Sequence, residues 1–148
     1  MEKERKIALG ADHAGYATKE KIKQFLIDQG YTQIKDFGTH SEESVDYPDF
    51  VHPLALSVKN HDSDFGIVVC GSGNGVNITA NKHTGIRSAL CWEREVAELA
   101  RGHNNANVCA IPARFISEEL AKEIVFAFIT TEFEGGRHER RVAKIENL

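Results

Sequence analysis

Two glycine-bearing segments hold the residues best suited to chemistry. The first, Val68-Val69-Cys70-Gly71-Ser72-Gly73-Asn74-Gly75, runs from an apolar, strand-like stretch into a helix-like one. Its glycines let backbone N–H groups converge on an anion, and a helix start beyond them adds a positive dipole end. Cys70 stands just before that helix start, where a thiol can act as a base. The competing reading is a buried structural cysteine at a strand end. The second segment, Gly10-Ala11-Asp12-His13-Ala14-Gly15, places an acid and an imidazole at the end of another strand. These two residues read either as a site pair or as a strand terminator whose aspartate caps the next turn.

Known phosphate-binding patterns narrow the chemistry. No Lys-Ser or Lys-Thr follows Gly75, which excludes a Walker loop, and the glycine spacing is not that of a dinucleotide fingerprint. Val76 occupies the position of the arginine in a Cys-x5-Arg phosphatase loop. Arg137, Arg140 and Arg141 crowd together near the end, as an anion site or as a solvated face paired with Glu134 and Glu139. Seven histidines show no His-x-x-x-His or Cys/His ligand spacing, so no metal is expected; His40, His52, His61 and His83 read as surface or loop residues. Three cysteines without a CxxC pair argue against a disulfide framework, and Cys91 and Cys109 read as structural.

The elements that must position these residues alternate. Lys6 to Gly10 predicts a buried strand, and Thr18 to Gln29 a helix with Ile22, Phe25 and Leu26 on one face, closed by Gly30. Strands are expected over 31–37, 65–71, 86–92 and 107–111, with helices over 48–59, from about 74, and over 93–101. Ser117 should cap a last helix with Glu118 and Glu119 in its first turn. Alternating strands and helices with no linker predict one α/β domain over 1–148: a Rossmann-like three-layer αβα sandwich on a five-stranded parallel sheet in doubly wound order. In the flavodoxin-like order the sheet reverses direction between strands one and three, and ligands bind outside the carboxyl ends there. The two glycine segments would then lie side by side.

Composition bounds the partners. The 148 residues are 41% hydrophobic and 27% charged, with a formal net charge of -4, which suits a globular domain and argues against general nucleic-acid binding. The charged start, Met1 to Lys6, has no apolar stretch suited to a signal peptide, and no apolar run is long enough for a bilayer. The expectation is a cytoplasmic protein with no membrane partner.

Taken in order, Asp12-His13, Asp46-Tyr47-Pro48, Cys70-Gly71-Ser72-Gly73-Asn74-Gly75, Asn81-Lys82, Gly85-Ile86-Arg87, His103-Asn104 and Glu134-Gly135-Gly136-Arg137-His138 cover nearly the whole chain. Together they resemble the superfamily of ribose-5-phosphate isomerase B and galactose-6-phosphate isomerase. The resemblance implies a homodimer, in some members paired into a tetramer, that interconverts aldose and ketose phosphates without metal or cofactor. It implies that Cys70 is the base that moves a proton between the first two sugar carbons, with Ser72 and the amides of Gly71, Gly73, Asn74 and Gly75 holding the enediolate oxygens. Many relatives carry threonine at position 72, where the hydroxyl is kept. Another branch uses a glutamate at the place held here by Val76. His103, assisted by Asp12, corresponds to the ring-opening acid/base; Tyr47 and Asn104 to hydroxyl contacts; His13, Arg114, Arg137 and Arg141 to the phosphate site. In relatives some of these groups approach from the second subunit, so a segment over about 132–148 is expected to contact the partner. The rival readings are a hexose 6-phosphate isomerase and a nucleotide-binding module of the same fold.

Overall fold

The computed structural model of the chain describes residues 2–147. After a short 3-10 turn, five strands alternate with helices: β1 (Lys6–Ala11), α1 (Tyr16–Asp28), β2 (Gln33–Asp36), α2 (Pro48–Lys59), β3 (Phe65–Cys70), α3 (Asn74–Asn81), β4 (Ser88–Leu90), α4 (Arg94–Asn104), β5 (Val108–Pro112), α5 (Glu118–Thr130) and α6 (Arg137–Glu146). All strand pairings are parallel, in the order β2-β1-β3-β5-β4.

The pleat assigns each side of the sheet its own core. Ile7, Leu9, Ala11, Ile67, Val69, Cys109 and Ile111 point to one face, where α1, α4 and α5 contribute Ile22, Leu26, Ala97, Ala100, Ile124, Val125 and Phe128. Ala8, Val68, Cys70, Val108 and Ala110 point to the other, against Val51, Leu54 and Val58 of α2 and Val76 and Ala80 of α3. Both β3 and β5 are buried along their whole length, as strands covered on two faces must be. The side-chain oxygen of Ser117 accepts from Leu120 N–H at 3.1 Å, so α5 starts on its expected cap.

Three features depart from the sequence reading. The outer strands are exchanged relative to the flavodoxin-like order, because β4 is a three-residue, half-buried strand suited to an edge, whereas the fully buried β5 takes the place beside β3. The β1/β3 reversal is unaffected. The strands at β2 and β4 are shorter than expected, since their flanks leave the ladder. An additional helix, α6, forms where a charge-rich tail was read; it buries only His138 and packs against α4, which little apolar periodicity in its sequence announces.

A buried ion pair ties α1 to the first edge of the sheet. Lys19 has no exposed surface, and its Nζ lies 2.8 and 2.7 Å from the two Asp36 carboxylate oxygens. Asp36 Oδ1 also accepts from Gly38 N–H at 2.9 Å, and Lys23 adds a contact at 3.2 Å. Burial by itself would raise the Asp36 carboxyl, but hydrogen bonds from Lys19 and Gly38 and the lysine charges outweigh it and hold it below the ordinary value. Lys19→Met is expected to cost about 3 kcal/mol in urea denaturation, at the lower end for a broken buried pair because Lys23 remains. A carboxyl with a depressed folded pKa contributes stability above its ordinary value of 3.8 and loses it as pH falls through the folded value. Asp36→Asn should accordingly flatten the acid limb of a stability-versus-pH curve.

Candidate active site

Because β1 and β3 are neighbours that run in the same direction, the loops leaving their carboxyl ends lie together. Ala11 is in register with Val69, and Asp12 N–H donates to Val69 O at 3.3 Å. Gly15 brings α1 onto β3 so closely that a Cβ there would fall 2.4 Å from Val69 O. The cavity formed at this edge measures about 460 Å³ and is lined by Asp12, His13, Tyr47, Cys70, Gly71, Ser72, Gly75 and Arg114, together with Ala14 and Phe115.

Each side chain has a local reason to be where it is. Asp12 is buried, and its Oδ1 accepts from the N–H groups of Ala14 and Gly15 at 3.0 and 3.1 Å, which leaves Oδ2 for the cavity. The capping reading of Asp12 therefore applies, and the residue also lines the cavity. His13 Nδ1 accepts from Val45 N–H at 3.1 Å, so the ring proton sits on Nε2, which can donate. Val45 reaches that position because the chain after β2 is stitched to the end of β1: Ala11 N–H donates to Gly38 O and Thr39 N–H to Ala11 O, both at 2.8 Å.

Tyr47 is the N-cap residue of α2, with Pro48 beginning the helix, and its ring lies against Gly75. Cys70 ends β3 with 5% exposure, at the mouth of the glycine loop. Ser72 Oγ accepts from Asn74 N–H at 3.2 Å, which orders the turn into α3. The Arg114 guanidinium lies 3.0 Å from where a Gly71 Cβ would be, and Arg114 N–H donates to Gly71 O at 2.9 Å. Among the described residues Arg114 holds no ion pair, so its charge is available to an anion.

Two loop residues serve geometry rather than the cavity wall. Gly73 adopts φ 77° as the N-cap residue of α3, buried beneath Leu90, and Asn74 is exposed at the helix start. Neither lines the cavity. Val76 is fully buried in the α2/α3 core. Cys91 and Cys109 are buried in the opposite core, where burial and the adjacent Cys91 push the Cys109 thiol well above its ordinary value. Both have the environment of structural cysteines.

The remaining expected site residues lie elsewhere. α4 returns antiparallel to the strands, so His103 and Asn104 in its last turn reach the amino edge of the sheet, just before β5 begins. Glu134 N–H donates to Gly102 O at 3.0 Å, which brings α6, with Arg137 and Arg141, to the same edge. β5 alone separates the edges by on the order of 13 Å. Asn104 lines a second cavity of about 460 Å³ with Arg87 and Glu146.

The His103 and His138 rings stack at 4.1 Å, both near the Glu134 carboxylate. Burial, with His103 and Arg137 nearby, lowers the His138 pKa from its ordinary value. This grouping joins residues up to 35 positions apart, and linear ligand spacing could not disclose it. Phe115, 75% exposed at the cavity rim, was not singled out by the sequence, where the available clue was an aromatic following Arg114 at a strand end.

A doubly wound parallel sheet with a thiol, a glycine loop and a guanidinium at its switch point defines a crevice suited to a small anionic ligand. The chain belongs to the ribose/galactose isomerase family, whose model matches residues 7–145. It is 44% identical to ribose-5-phosphate isomerase B of Escherichia coli K12, over 95% of this chain and 94% of that protein. The crystal structure of a ribose 5-phosphate isomerase from Thermotoga maritima superposes with a TM-score of 0.94 at 49% identity, covering 97% of this chain and 99% of that one. Ribose-5-phosphate isomerase B of Mycoplasma genitalium, solved with bound ribulose-5-phosphate, matches at 40% identity and a TM-score of 0.90, over 96% and 94% of the two chains. Family membership displaces the nucleotide-module alternative.

A methyl group at position 75 would fall 2.6 Å from Tyr47 Cζ, so Gly75→Ala must displace the tyrosine ring. The variant should fold, alanine being the better helix former, while KM for the sugar phosphate rises by about tenfold, equivalent to ~1.4 kcal/mol. An unchanged KM with native circular dichroism would remove Tyr47 from substrate contact.

Proposed function

We propose that the chain interconverts D-ribose 5-phosphate and D-ribulose 5-phosphate through an enediolate. The observation that carries this reading is the convergence of Cys70, Gly71, Ser72, Gly75, His13 and Arg114 in one cavity. Cys70, as the thiolate, takes the proton from C2. The C–H electron pair forms the C1–C2 double bond, and the carbonyl oxygen on C1 takes up negative charge. Ser72 Oγ–H and loop amides donate to that oxygen, each well-placed donor stabilising the transition state by on the order of 3 kcal/mol. Return of the proton to C1, as the hydroxyl hydrogen on O2 passes to O1, leaves the carbonyl at C2. His13 Nε2–H and the Arg114 fork bind the phosphate.

Ring opening needs a further acid/base, because His13 Nε2–H and Arg114 are assigned to the phosphate. We assign it to His103 of a second copy, paired with the free oxygen of Asp12; Asn104, Arg137 and Arg141 arrive with it. In this reading a homodimer is the smallest active unit, and the segment over about 132–148 lies at its interface. The placement of the two residue sets at opposite sheet edges supports it, as does the absence of ion pairs at Arg137 and Arg141 among the described residues. Three free cysteines accord with a reducing, cytoplasmic setting. Among the described residues no helix is long and apolar enough to cross a membrane.

A hexose 6-phosphate is the second reading, favoured by the galactose in the family's description. One carbon changes packing by only about 1 to 3 kcal/mol. Turnover of ribose, allose and galactose phosphates by the purified protein decides between the readings, the ribose ester being expected to give the highest kcat/KM.

Two variants test the composite site. Cys70→Ala and His103→Asn should each be inactive on cyclic ribose 5-phosphate. Unfolded together and refolded, a 1:1 mixture should recover up to about a quarter of wild-type activity, because in a twofold dimer each heterodimer holds one intact site. No recovery from a mixture shown to contain heterodimers would place both residues in one chain's site or His103 outside it.

A further inference from the structure

The His103–Glu134–His138 cluster does more than line an edge of the sheet: we infer that it is a chelating site for a borderline divalent cation such as Zn²⁺, and that occupancy shuts the enzyme off. His103 Nε2 lies 3.6 Å from Glu134 Oε2, and His138 Nε2 lies 3.7 Å from Glu134 Oε1. All three ligand atoms fall within 4.8 Å of one another. Both N···O separations exceed hydrogen-bonding range, so the carboxylate does not satisfy either imidazole. Across a tetrahedral zinc with bonds of 2.0 to 2.2 Å, neighbouring ligand atoms stand roughly 3.3 to 3.5 Å apart. The two histidine–carboxylate pairs, which use different carboxylate oxygens, need to close by a few tenths of an ångström, and the widest pair of ligand atoms by up to about 1.5 Å, the stacked rings tipping out of parallel to converge.

The fold holds these ligands from three directions. His103 sits in the last turn of α4, Glu134 in the link between α5 and α6, and His138 in the first turn of α6. Glu134 is tethered by its N–H to Gly102 O at 3.0 Å, and His138 by its N–H to Gly135 O at 3.1 Å. Gly102 leaves room for the carboxylate, since a Cβ there would fall 2.9 Å from Glu134 Oε2. In the single chain 39% of the His103 side chain and 61% of that of Glu134 are exposed, while His138 at 10% forms the floor. Two imidazoles and one carboxylate form a zinc ligand set with a fourth position free, and the nitrogen donors disfavour Mg²⁺ and Ca²⁺.

Binding engages the lone pair of His103 Nε2. The inhibitory consequence rests on the ring-opening role proposed for His103, whereas the site itself does not. A bound cation leaves the imidazole unable to accept a proton, so Zn²⁺ should inhibit turnover of cyclic ribose 5-phosphate and chelator should restore it.

The test uses Co²⁺ as a spectroscopic probe and Zn²⁺ as inhibitor, on the full-length protein. Co²⁺ should produce the visible bands of a low-coordinate nitrogen/oxygen site. Glu134→Gln and His138→Ala should each weaken binding by at least tenfold. Gly102→Ala, which touches no ligand covalently and favours the helix, should weaken it too by displacing the carboxylate. The double variant His52→Ala/His83→Ala removes the other close histidine pair, 2.7 Å apart, and should leave binding unchanged. Equal Co²⁺ affinity in wild type, Glu134→Gln and His138→Ala would overturn the site, as would a sulfur-to-cobalt charge-transfer band assigning the metal to a cysteine. Co²⁺ and Zn²⁺ held by the cluster without inhibition would uphold the site and overturn the ring-opening role of His103.

Discussion

The pairing of β1 with β3 is the constraint on which the site depends. Parallel neighbours deliver their carboxyl ends to one edge, and the right-handed connections from these two strands leave toward opposite faces, with α1 on one side and α3 on the other. The resulting crevice receives Asp12 and His13 from one loop and Cys70 to Gly75 from the other. Gly15, packed against Val69 O, permits that closeness, because any side chain there would push α1 off the sheet. The exchange of β4 and β5 leaves this arrangement intact while bringing Arg114, just past β5, over Gly71.

A second support runs through Lys19 and Asp36. Charge buried at this depth is costly unless fully partnered, and here the carboxylate is satisfied by Lys19, Lys23 and Gly38 N–H together. The pair anchors the exit of β2, whose continuation pairs with the end of β1 and then carries Val45 to His13 and Tyr47 to Gly75. A network outside the cavity thus fixes a histidine tautomer inside it.

The same architecture separates what it gathers. A helix between parallel strands must return the chain to the amino edge, so a residue in the final turn of α4 cannot face a loop at the carboxyl edge of its own sheet. His103 and α6 are therefore exposed away from Cys70, which makes them available to a second copy and also lets His103, Glu134 and His138 converge on a shared point.

Much of this was legible in the residues themselves. Periodicity and caps disclosed the alternation of strands and helices, Ser117 marked the start of α5, and the glycines around Cys70 disclosed a tight turn into a helix start, because those signals are local. The bearing of the turn on a sugar phosphate came from resemblance. Local signals did not reveal α6, which has a charge-rich surface and one buried residue, nor the outer strand order, which depends on whether β4 or β5 buries more of its length. They also could not reveal that Val45 sets the proton of His13, 32 residues away, or that His103 meets Glu134 and His138. By itself the sequence determined the alternating strands and helices as far as α5, the glycine loop and its thiol, since these follow from neighbours along the chain. Only the tertiary structure decided which residues share a cavity and which stand at the far edge, because that depends on the direction in which each helix returns across the sheet.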